Sequence, residues 1–315
     1  MNENYILVLG ASVVDIFGFC ENKYASRDSI PGRIKMTFGG VCRNIAENLA
    51  RMEVNTKFIS VLGDDEIGRE IIEHSRYIGY DMSQSLILKD KRTPTYLAVL
   101  DENGEMVSGI NDMSSINRLD IDYIKSKSDI IKAADYVFLD ADNPLNLKFL
   151  LDTYHEDTKF ILDPISANKT VKILPFIGGF HTIKPNRLEA EVIADMAIKT
   201  DADLLKAAKK IHELGVTNLF ITLDKEGVFY SNGRNQGFLK SLNPEVRNVT
   251  GAGDSFVAGI GYGYTKNMSI DKIAKVATTM AFITISNHET IHPELSLEKV
   301  IDEMARIKWE ERKLN

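Results

Sequence analysis

The composition of the chain is that of a folded globular protein of enzyme size. It has 315 residues, of which 44% are hydrophobic and 26% are charged, so a large core is available and a disordered or fibrous structure is excluded. The 45 acidic and 38 basic residues give a net charge of −7 at pH 7. This charge argues against a broad surface for nucleic acid or for anionic membranes.

The cysteines and the N-terminal segment indicate a reducing compartment. Cys20 and Cys42 cannot form a disulfide framework, and their separation fits no zinc-ligand spacing. The apolar residues 6–9 lack the basic segment of a signal peptide, because Glu3 precedes them and the first basic residue is Lys23. No apolar run approaches the roughly 18 residues of a membrane helix. We therefore expect a cytoplasmic protein without a membrane partner.

Short β-rich runs alternate with helical patterns along most of the chain. Residues 5–9 predict a buried strand, and residues 40–52 carry apolar side chains at helical spacing. A strand at 56–62 and a helix from about Asp64 follow. Further strands, separated by helices, are predicted at 136–139, 159–162, 181–183 and 218–222. The alternation predicts a parallel sheet covered on both faces, and the charged stretch at 301–315 predicts a solvated terminal helix.

Two segments, at about 16–37 and 83–112, interrupt this alternation. The first has no strong helix signal, and the second has the pattern of strand, turn, strand. Within it, residues 95–100 and 105–110 flank a plausible hairpin turn at 101–104. We interpret both segments as strands of a small sheet, inserted in a single domain that covers the whole chain.

The segment Asn248-Val-Thr-Gly-Ala-Gly-Asp254 is the strongest candidate for chemistry. Gly251, Ala252 and Gly253 allow backbone N–H groups to converge at the start of a predicted helix, where the helix dipole favours an anion. Asp254 could accept a proton from a hydroxyl nucleophile. A helix start that Asp254 merely caps explains the same pattern.

A pair of glycines opens the first predicted helix. Gly39 and Gly40 would permit a ligand to approach the backbone closely, and Asn44, one turn further on, could direct its amide into the same space. Asp15 follows the first strand, where α/β proteins bind ligands. An ordinary glycine-rich helix start with an exposed Asn44 is the alternative. The chain has neither the G-x-G-x-x-G spacing nor the P-loop pattern of nucleotide-binding proteins.

Asn186 and Glu189 lie three residues apart at the start of another predicted helix. An amide oxygen and a carboxylate at this spacing suit Mg²⁺, which keeps several waters and bridges to phosphates. The same spacing predicts a capping box, with Asn186 as N-cap and Glu189 as its partner. The residues alone leave both interpretations open.

Two of these segments, Gly39-Gly40-Val-Cys-Arg-Asn44 and Asn248-Val-Thr-Gly-Ala-Gly-Asp254, resemble the two signatures of the ribokinase-like (PfkB) carbohydrate kinases. The resemblance spans essentially the whole chain. It implies a doubly wound α/β fold with a mainly parallel sheet, helices on both faces and a small β-sheet lid. It also implies ATP-dependent phosphorylation of a sugar hydroxyl.

Longer matches are similar to the pseudouridine kinases of bacteria within that family, and they occur at residues 31–40, 110–113, 163–169 and 181–191. They imply that the acceptor is the 5′-hydroxyl of a ribonucleoside, pseudouridine in particular. The alternatives are another kinase of the family, acting on ribose, uridine or inosine, and a sugar-binding regulator that has lost catalysis.

The resemblance implies a role for each matching position. Asp254 would be the general base, and the anion hole for the transferred phosphate would be formed by Gly251, Ala252 and Gly253. The implied substrate contacts are Asp15, Gly39, Gly40, Asn44, Asp142 and Lys169. Asn111, on or beside the lid, could contact polar edges of the nucleobase, and a turn or helix-cap role explains it equally well. The implied nucleotide contacts are Asn186, Glu189, Thr222 and Gly227, with Mg²⁺ organised by Asn186 and Glu189 through water.

Two further expectations concern a cation and a second subunit. Asn248 stands where the family often has an aspartate, which weakens the case for a monovalent-cation site. The apolar residues of 95–100 would permit lid sheets to pair in a homodimer, and covering the substrate explains these residues equally well.

Overall fold

The computed structural model describes residues 4–242 and 245–314. Its strands are β1 (Ile6–Leu9), β2 (Val13–Cys20), β3 (Gly32–Gly39), β4 (Thr56–Ile59), β5 (Val61–Gly63), β6 (Leu86–Leu88), β7 (Thr95–Leu100), β8 (Met106–Asp112), β9 (Tyr136–Asp140), β10 (Lys159–Asp163), β11 (Thr182–Ile183), β12 (Asn218–Thr222), β13 (Val228–Ser231), β14 (Gln236–Ser241) and β15 (Trp309–Lys313). Its helices are α1 (Val41–Arg51), α2 (Glu66–Ile78), α3 (Ile121–Lys125), α4 (Ser128–Lys132), α5 (Pro144–Tyr154), α6 (Ala167–Ile173), α7 (Arg187–Ala194), α8 (Asp201–Glu213), α9 (Ala252–Thr265), α10 (Ile270–Ile285) and α11 (Leu297–Arg306).

A large mixed sheet forms the centre of the molecule, in the order β15-β14-β13-β12-β11-β10-β9-β1-β4. The strands from β12 to β4 are parallel, and β13, β14 and β15 are antiparallel additions. Side chains alternate across this sheet. Ile6 and Val8 pack with α1, α9 and α10, whereas Leu7 and Leu9 pack with α5 and α8 on the opposite face. The predicted sheet with helices on both faces is confirmed.

A separate four-stranded sheet, in the order β3-β2-β7-β8, is called the small sheet below. The predicted hairpin at 101–104 is confirmed, because Gly104 N donates to Asp101 O at 3.0 Å between β7 and β8. The earlier part of the 83–112 segment is predicted to belong to the small sheet, but it does not. Its strand β6 pairs with β5 in a two-stranded sheet, and Leu88 at the end of β6 is buried in the main core.

The prediction of a helix over 301–315 is wrong beyond Arg306. The chain there forms β15, which pairs with β14 along the edge of the large sheet. Trp309 packs on the core, and Lys275 Nζ lies 2.7 Å from Glu311 Oε1. Charged residues are common on edge strands, and here they conceal the strand pattern.

The parallel strands bring several polar residues to one edge of the large sheet. Asp140 and Asp163 end β9 and β10 and are paired in register, and Lys184 directly follows β11. Carboxyl ends of parallel strands form the crevice in which α/β proteins bind ligands. Within 4–242 and 245–314, no helix is both long and apolar enough to cross a membrane.

Candidate active site

The first turns of α1 and α9 meet at this edge and bring Asn44 and Asp254 together. Asn44 Nδ2 donates to Asp254 Oδ2 at 2.7 Å, although 210 residues separate the two in the chain. The N-cap of α9 is Gly251, and no side chain caps this helix. The alternative in which Asp254 only caps the helix is therefore not what the structure shows.

The turn at Gly251 requires a glycine. Its φ is +80°, and a Cβ there would lie 2.0 Å from the carbonyl oxygen of Thr290. The N–H groups of Gly253 and Asp254 belong to the first turn of α9, where a helix leaves its amides without intrahelical partners. This turn therefore has the character of an anion-binding site.

The surroundings of Asp254 make its carboxyl group a weak acid. Burial, and after it the Asp163 carboxylate, raise its pKa to about 7, whereas the Asn44 hydrogen bond and the Lys184 cation oppose the shift. A base with a pKa near neutral is well matched to proton transfer at physiological pH.

Lys184 is a functional candidate to which the sequence analysis assigned no role. Its Nζ lies 3.2 Å from Asp163 Oδ2, and both side chains are buried. A Cβ on Gly253 would lie 3.0 Å from the same Nζ, so the cation adjoins the anion-binding turn. Burial alone would lower the pKa of Lys184, but the carboxylates of Asp163 and Glu189 raise it above its usual value. The available signal was a lysine placed directly after a short apolar strand.

Asn186 and Glu189 form the capping box of α7. Glu189 N donates to Asn186 Oδ1 at 3.0 Å, and Asn186 N and Nδ2 donate to the two Glu189 carboxylate oxygens at 2.8 Å each. Burial raises the pKa of Glu189, which is 2% exposed. Across the described ranges, no three His, Cys, Asp or Glu side chains are grouped to hold a metal ion. This donor set fits Mg²⁺ only through water, with phosphates supplying the direct ligands.

The other two residues predicted to contact the nucleotide, Thr222 and Gly227, differ in their placement. Thr222 lies beside Asn186, because Thr222 N donates to Pro185 O at 3.0 Å in a short parallel bridge. Gly227 lies in the turn before β13, where a Cβ would be 2.4 Å from Leu239 O. Close packing thus accounts for a glycine at position 227 without a ligand.

One face of the small sheet carries two of the predicted substrate residues, Asp15 and Asn111. Asp15 Oδ2 lies against Gly39, where a Cβ would be only 2.1 Å away. Asn111 shares this face, because the strand register aligns Asp15 with Tyr96 and Tyr96 with Asn111. Lys35, also on this face, donates to both oxygens of Glu289 at 2.8 Å.

Glu289 immediately precedes Thr290, whose carbonyl oxygen packs against Gly251. The ion pair with Lys35 therefore links this face of the small sheet to the segment that packs against Gly251. Burial raises the pKa of Asp15, and the nearby Arg43 cation opposes that shift.

Asp142 and Lys169 form an ion pair next to β9. Asp142 N donates to Asp140 Oδ1 at 3.0 Å, and the Cys42 thiol donates to Asp140 Oδ2 at 3.2 Å. Burial and the Asp142 charge raise the pKa of Asp140 to about 7. Asp140, which the sequence analysis did not single out, therefore connects the pair to the start of α1 beside Gly40.

The sequence model for the pfkB family carbohydrate kinases matches residues 3–297. This chain belongs to that family. As a pfkB kinase it is a phosphotransferase with an alcohol acceptor, and the resemblance seen in its motifs is confirmed.

This pfkB kinase is similar to several known proteins in sequence or in structure. Pseudouridine kinase of Escherichia coli K12 is 32% identical over 301 residues, which covers 95% of this chain and 96% of the relative. The crystal structure of a candidate sugar kinase from Clostridium perfringens superposes with a TM-score of 0.97 at 51% identity over the full length of both chains. Arabidopsis thaliana ribokinase, solved with ribose and ATP, gives a TM-score of 0.80 at 20% identity over 96% of this chain and 98% of that one. The ribokinase-like fold is thereby confirmed.

Proposed function

We propose that this pfkB kinase transfers the γ-phosphoryl group of ATP to the 5′-hydroxyl of a ribonucleoside, and that pseudouridine is its substrate. The contact between Asn44 and Asp254 carries the kinase part of the proposal, because it places a carboxylate of near-neutral pKa at an anion-binding helix start. The choice of pseudouridine is supported by the similarity to the E. coli pseudouridine kinase over nearly the whole chain.

Asp254 accepts the proton of the 5′-hydroxyl group while the hydroxyl oxygen attacks the γ-phosphorus of ATP. The bond between the γ-phosphorus and the oxygen of the leaving ADP breaks in the same step. General-base assistance of this kind contributes about 10²–10⁴ in rate. The N–H groups of Gly253 and Asp254 and the Lys184 ammonium group stabilise the charge on the phosphoryl group, whereas the Ala252 N–H already donates to Val249 O at 3.3 Å. Alignment and charge stabilisation are the main demands of phosphoryl transfer, and both are met by groups already held in place.

The substrate lies between the small sheet and the carboxyl edge of the large sheet. Asp15 and Asn44 accept and donate hydrogen bonds at the ribose hydroxyls, and Gly39 and Gly40 allow the sugar to approach the backbone. The nucleobase of the substrate is bordered by Asn111 and by the ion pair of Asp142 and Lys169. The small sheet acts as a lid that excludes water, which would otherwise compete as the acceptor.

The nucleotide lies on the other side of the anion-binding turn, against α7. Asn186 and Thr222 border its phosphates, with Gly227 in the adjoining turn. Asn186 and Glu189 would hold Mg²⁺ through water, and the ion would supply charge neutralisation at the ATP phosphates; the Asn186 hydrogen bonds fix the Glu189 carboxylate in place for this role. ATP as the donor also supports a cytoplasmic location.

We also propose that the small sheet mediates a homodimer. Its second face, opposite Asp15, is apolar and open to solvent, with Ile34 78% exposed, Ile110 65% exposed and Met36 45% exposed. Covering such a patch with a second copy is favourable. Sedimentation equilibrium should give twice the chain mass, and Ile110→Asp should reduce it to the monomer mass. A wild-type protein that sediments as a monomer contradicts the dimer.

The substrate is tested by comparing kcat/KM for pseudouridine, uridine, inosine and ribose with MgATP, using Asp254→Asn as the control for contaminating kinases. We expect pseudouridine to be the best acceptor and ³¹P NMR of the product to show a 5′-phosphomonoester. A preference for ribose contradicts the nucleoside assignment. If pseudouridine raises the unfolding temperature of the protein but no ATP is consumed, the alternative of a sugar-binding regulator without catalysis is supported instead.

A further inference from the structure

Arg43 is a buried cation between the small sheet and the candidate base. Its side chain is 4% exposed. Nη2 donates to the carbonyl oxygen of Phe38 at 2.6 Å and to Asn44 Oδ1 at 3.1 Å, and Nη1 donates to Glu47 Oε2 at 2.8 Å. Phe38 is the penultimate residue of β3, so one guanidinium group joins the end of this strand of the small sheet to Asn44.

These contacts determine which way the Asn44 amide faces. An asparagine side chain has one acceptor atom and one donor atom at its end, and the two can exchange places by rotation. A guanidinium group can only donate, and an ionised carboxylate can only accept. With Arg43 on Oδ1, the Nδ2 group is left to face Asp254 at 2.7 Å. The reverse orientation would oppose donor to donor at Arg43 and acceptor to acceptor at Asp254.

We propose that Arg43 is a positioning residue for phosphoryl transfer, which holds the Asn44 amide in the orientation that donates to Asp254. The inference rests on the proposed role of Asp254 as general base. Neither signature motif assigned a function to position 43.

The surrounding charges allow Arg43 to be removed without leaving Glu47 unpaired. Arg51 Nη2 lies 2.8 Å from Glu47 Oε1, and His74 Nδ1 lies 3.8 Å from Glu47 Oε2. Arg51 thus shares the carboxylate with Arg43, since its Nε and Nη2 both donate to Glu47 Oε1, and its Nη1 donates to the carbonyl oxygen of Pro293. Arg51 is therefore a matched control that removes a cation from the same cluster without touching Asn44.

The pKa of Asp254 depends on groups from four neighbouring parts of the structure. Asp254 is influenced by Asn44 on α1, Asp140 on β9, Asp163 on β10 and Lys184 after β11. Among these, the Asn44 donation lowers the pKa of Asp254. A misdirected Asn44 amide would therefore raise this pKa and move the acid limb of kcat/KM to higher pH.

The test is a double-mutant cycle with pH profiles, using the acceptor on which the wild type is most active. We expect Arg43→Met and Asn44→Ala each to lower kcat/KM about ten- to hundredfold, as for loss of a hydrogen bond to a charged group, and the double variant to lose no more than Asn44→Ala. The acid limb should move to higher pH in both single variants. Arg51→Met should stay within about twofold of the wild type with an unmoved limb.

Other outcomes overturn the inference. Equal losses in Arg43→Met and Arg51→Met would indicate a merely structural role, and multiplicative losses in the double variant would show that Arg43 does not act through Asn44. Should Arg43→Met fail to fold, Arg43→Lys replaces it in the cycle, since an ammonium group cannot reach Glu47, Phe38 and Asn44 together. A wild type without kinase activity on any acceptor refutes the proposed function instead. In that case a neutron structure of the variant, which distinguishes the amide nitrogen from the oxygen, decides, and an Asn44 Nδ2 still on Asp254 overturns the inference.

Discussion

Asn44 and Asp254 share a hydrogen bond of 2.7 Å that joins the first turns of α1 and α9. Each residue belongs to a different glycine-containing motif, and neither motif alone defines a site. The contact unites them, because one helix supplies a donor and the other a carboxylate beside free backbone amides.

Asp254→Asn should lower kcat by about 10²–10⁴ while the fold is retained, because the amide cannot accept the hydroxyl proton. The folded-state pKa of Asp254 is raised from 3.8 to about 7, so its stabilising contribution is present at low pH and is lost as the pH rises through this range. The variant should therefore unfold at a higher temperature than the wild type at pH 8, with the difference shrinking toward pH 4. Turnover above a tenth of the wild-type value would contradict the role of Asp254.

The acid limb of kcat/KM should lie near pH 7, since the free enzyme needs Asp254 unprotonated and burial raises its pKa to about 7. Asp140→Asn should move this limb to lower pH, because the Asp140 charge contributes to the raised pKa of Asp254. Initial rates between pH 5 and pH 9 measure both effects. A profile that is flat from pH 5 to pH 8 would exclude Asp254 as the titrating base.

Glu189→Ala should raise the Mg²⁺ concentration needed for half-maximal activity at fixed ATP. Asp203→Ala is its matched control, because Thr200 and Asp203 form the same kind of capping box on α8. Both variants lose a helix cap and should unfold at a lower temperature. An equal Mg²⁺ requirement in the two variants would show that Glu189 only caps α7.

Lys184→Met should destabilise the fold by about 3–5 kcal/mol, because it leaves the buried Asp163 carboxylate without its partner. The double variant Asp163→Asn with Lys184→Met should recover most of this stability in urea unfolding. It should not recover kcat, since the cation beside the anion-binding turn remains absent. Recovery of both stability and kcat would reduce Lys184 to a structural ion-pair partner.

Local patterns in the sequence determined most of the secondary structure. All four residues of β1 are buried between helices, so this strand appears as an unbroken apolar run. The hairpin between β7 and β8 was predictable because a short turn sequence joins two β-rich segments. The charged strand β15 was not predictable from local sequence. Its pairing partner β14 lies some 70 residues earlier in the chain, and the residues next to β15 carry no sign of that pairing.

The sequence by itself therefore determined the family, the core strands and the two motifs that hold Asn44 and Asp254. Only the tertiary structure decided that Asp254 bonds to Asn44 rather than capping its helix, that Asn186 and Glu189 form a capping box, and that Lys184 pairs with Asp163. The physical reason is the range of each interaction. Strand and helix patterns depend on neighbours a few residues away, whereas the groups of this site come from separate strands and helices that meet only when the parallel sheet forms.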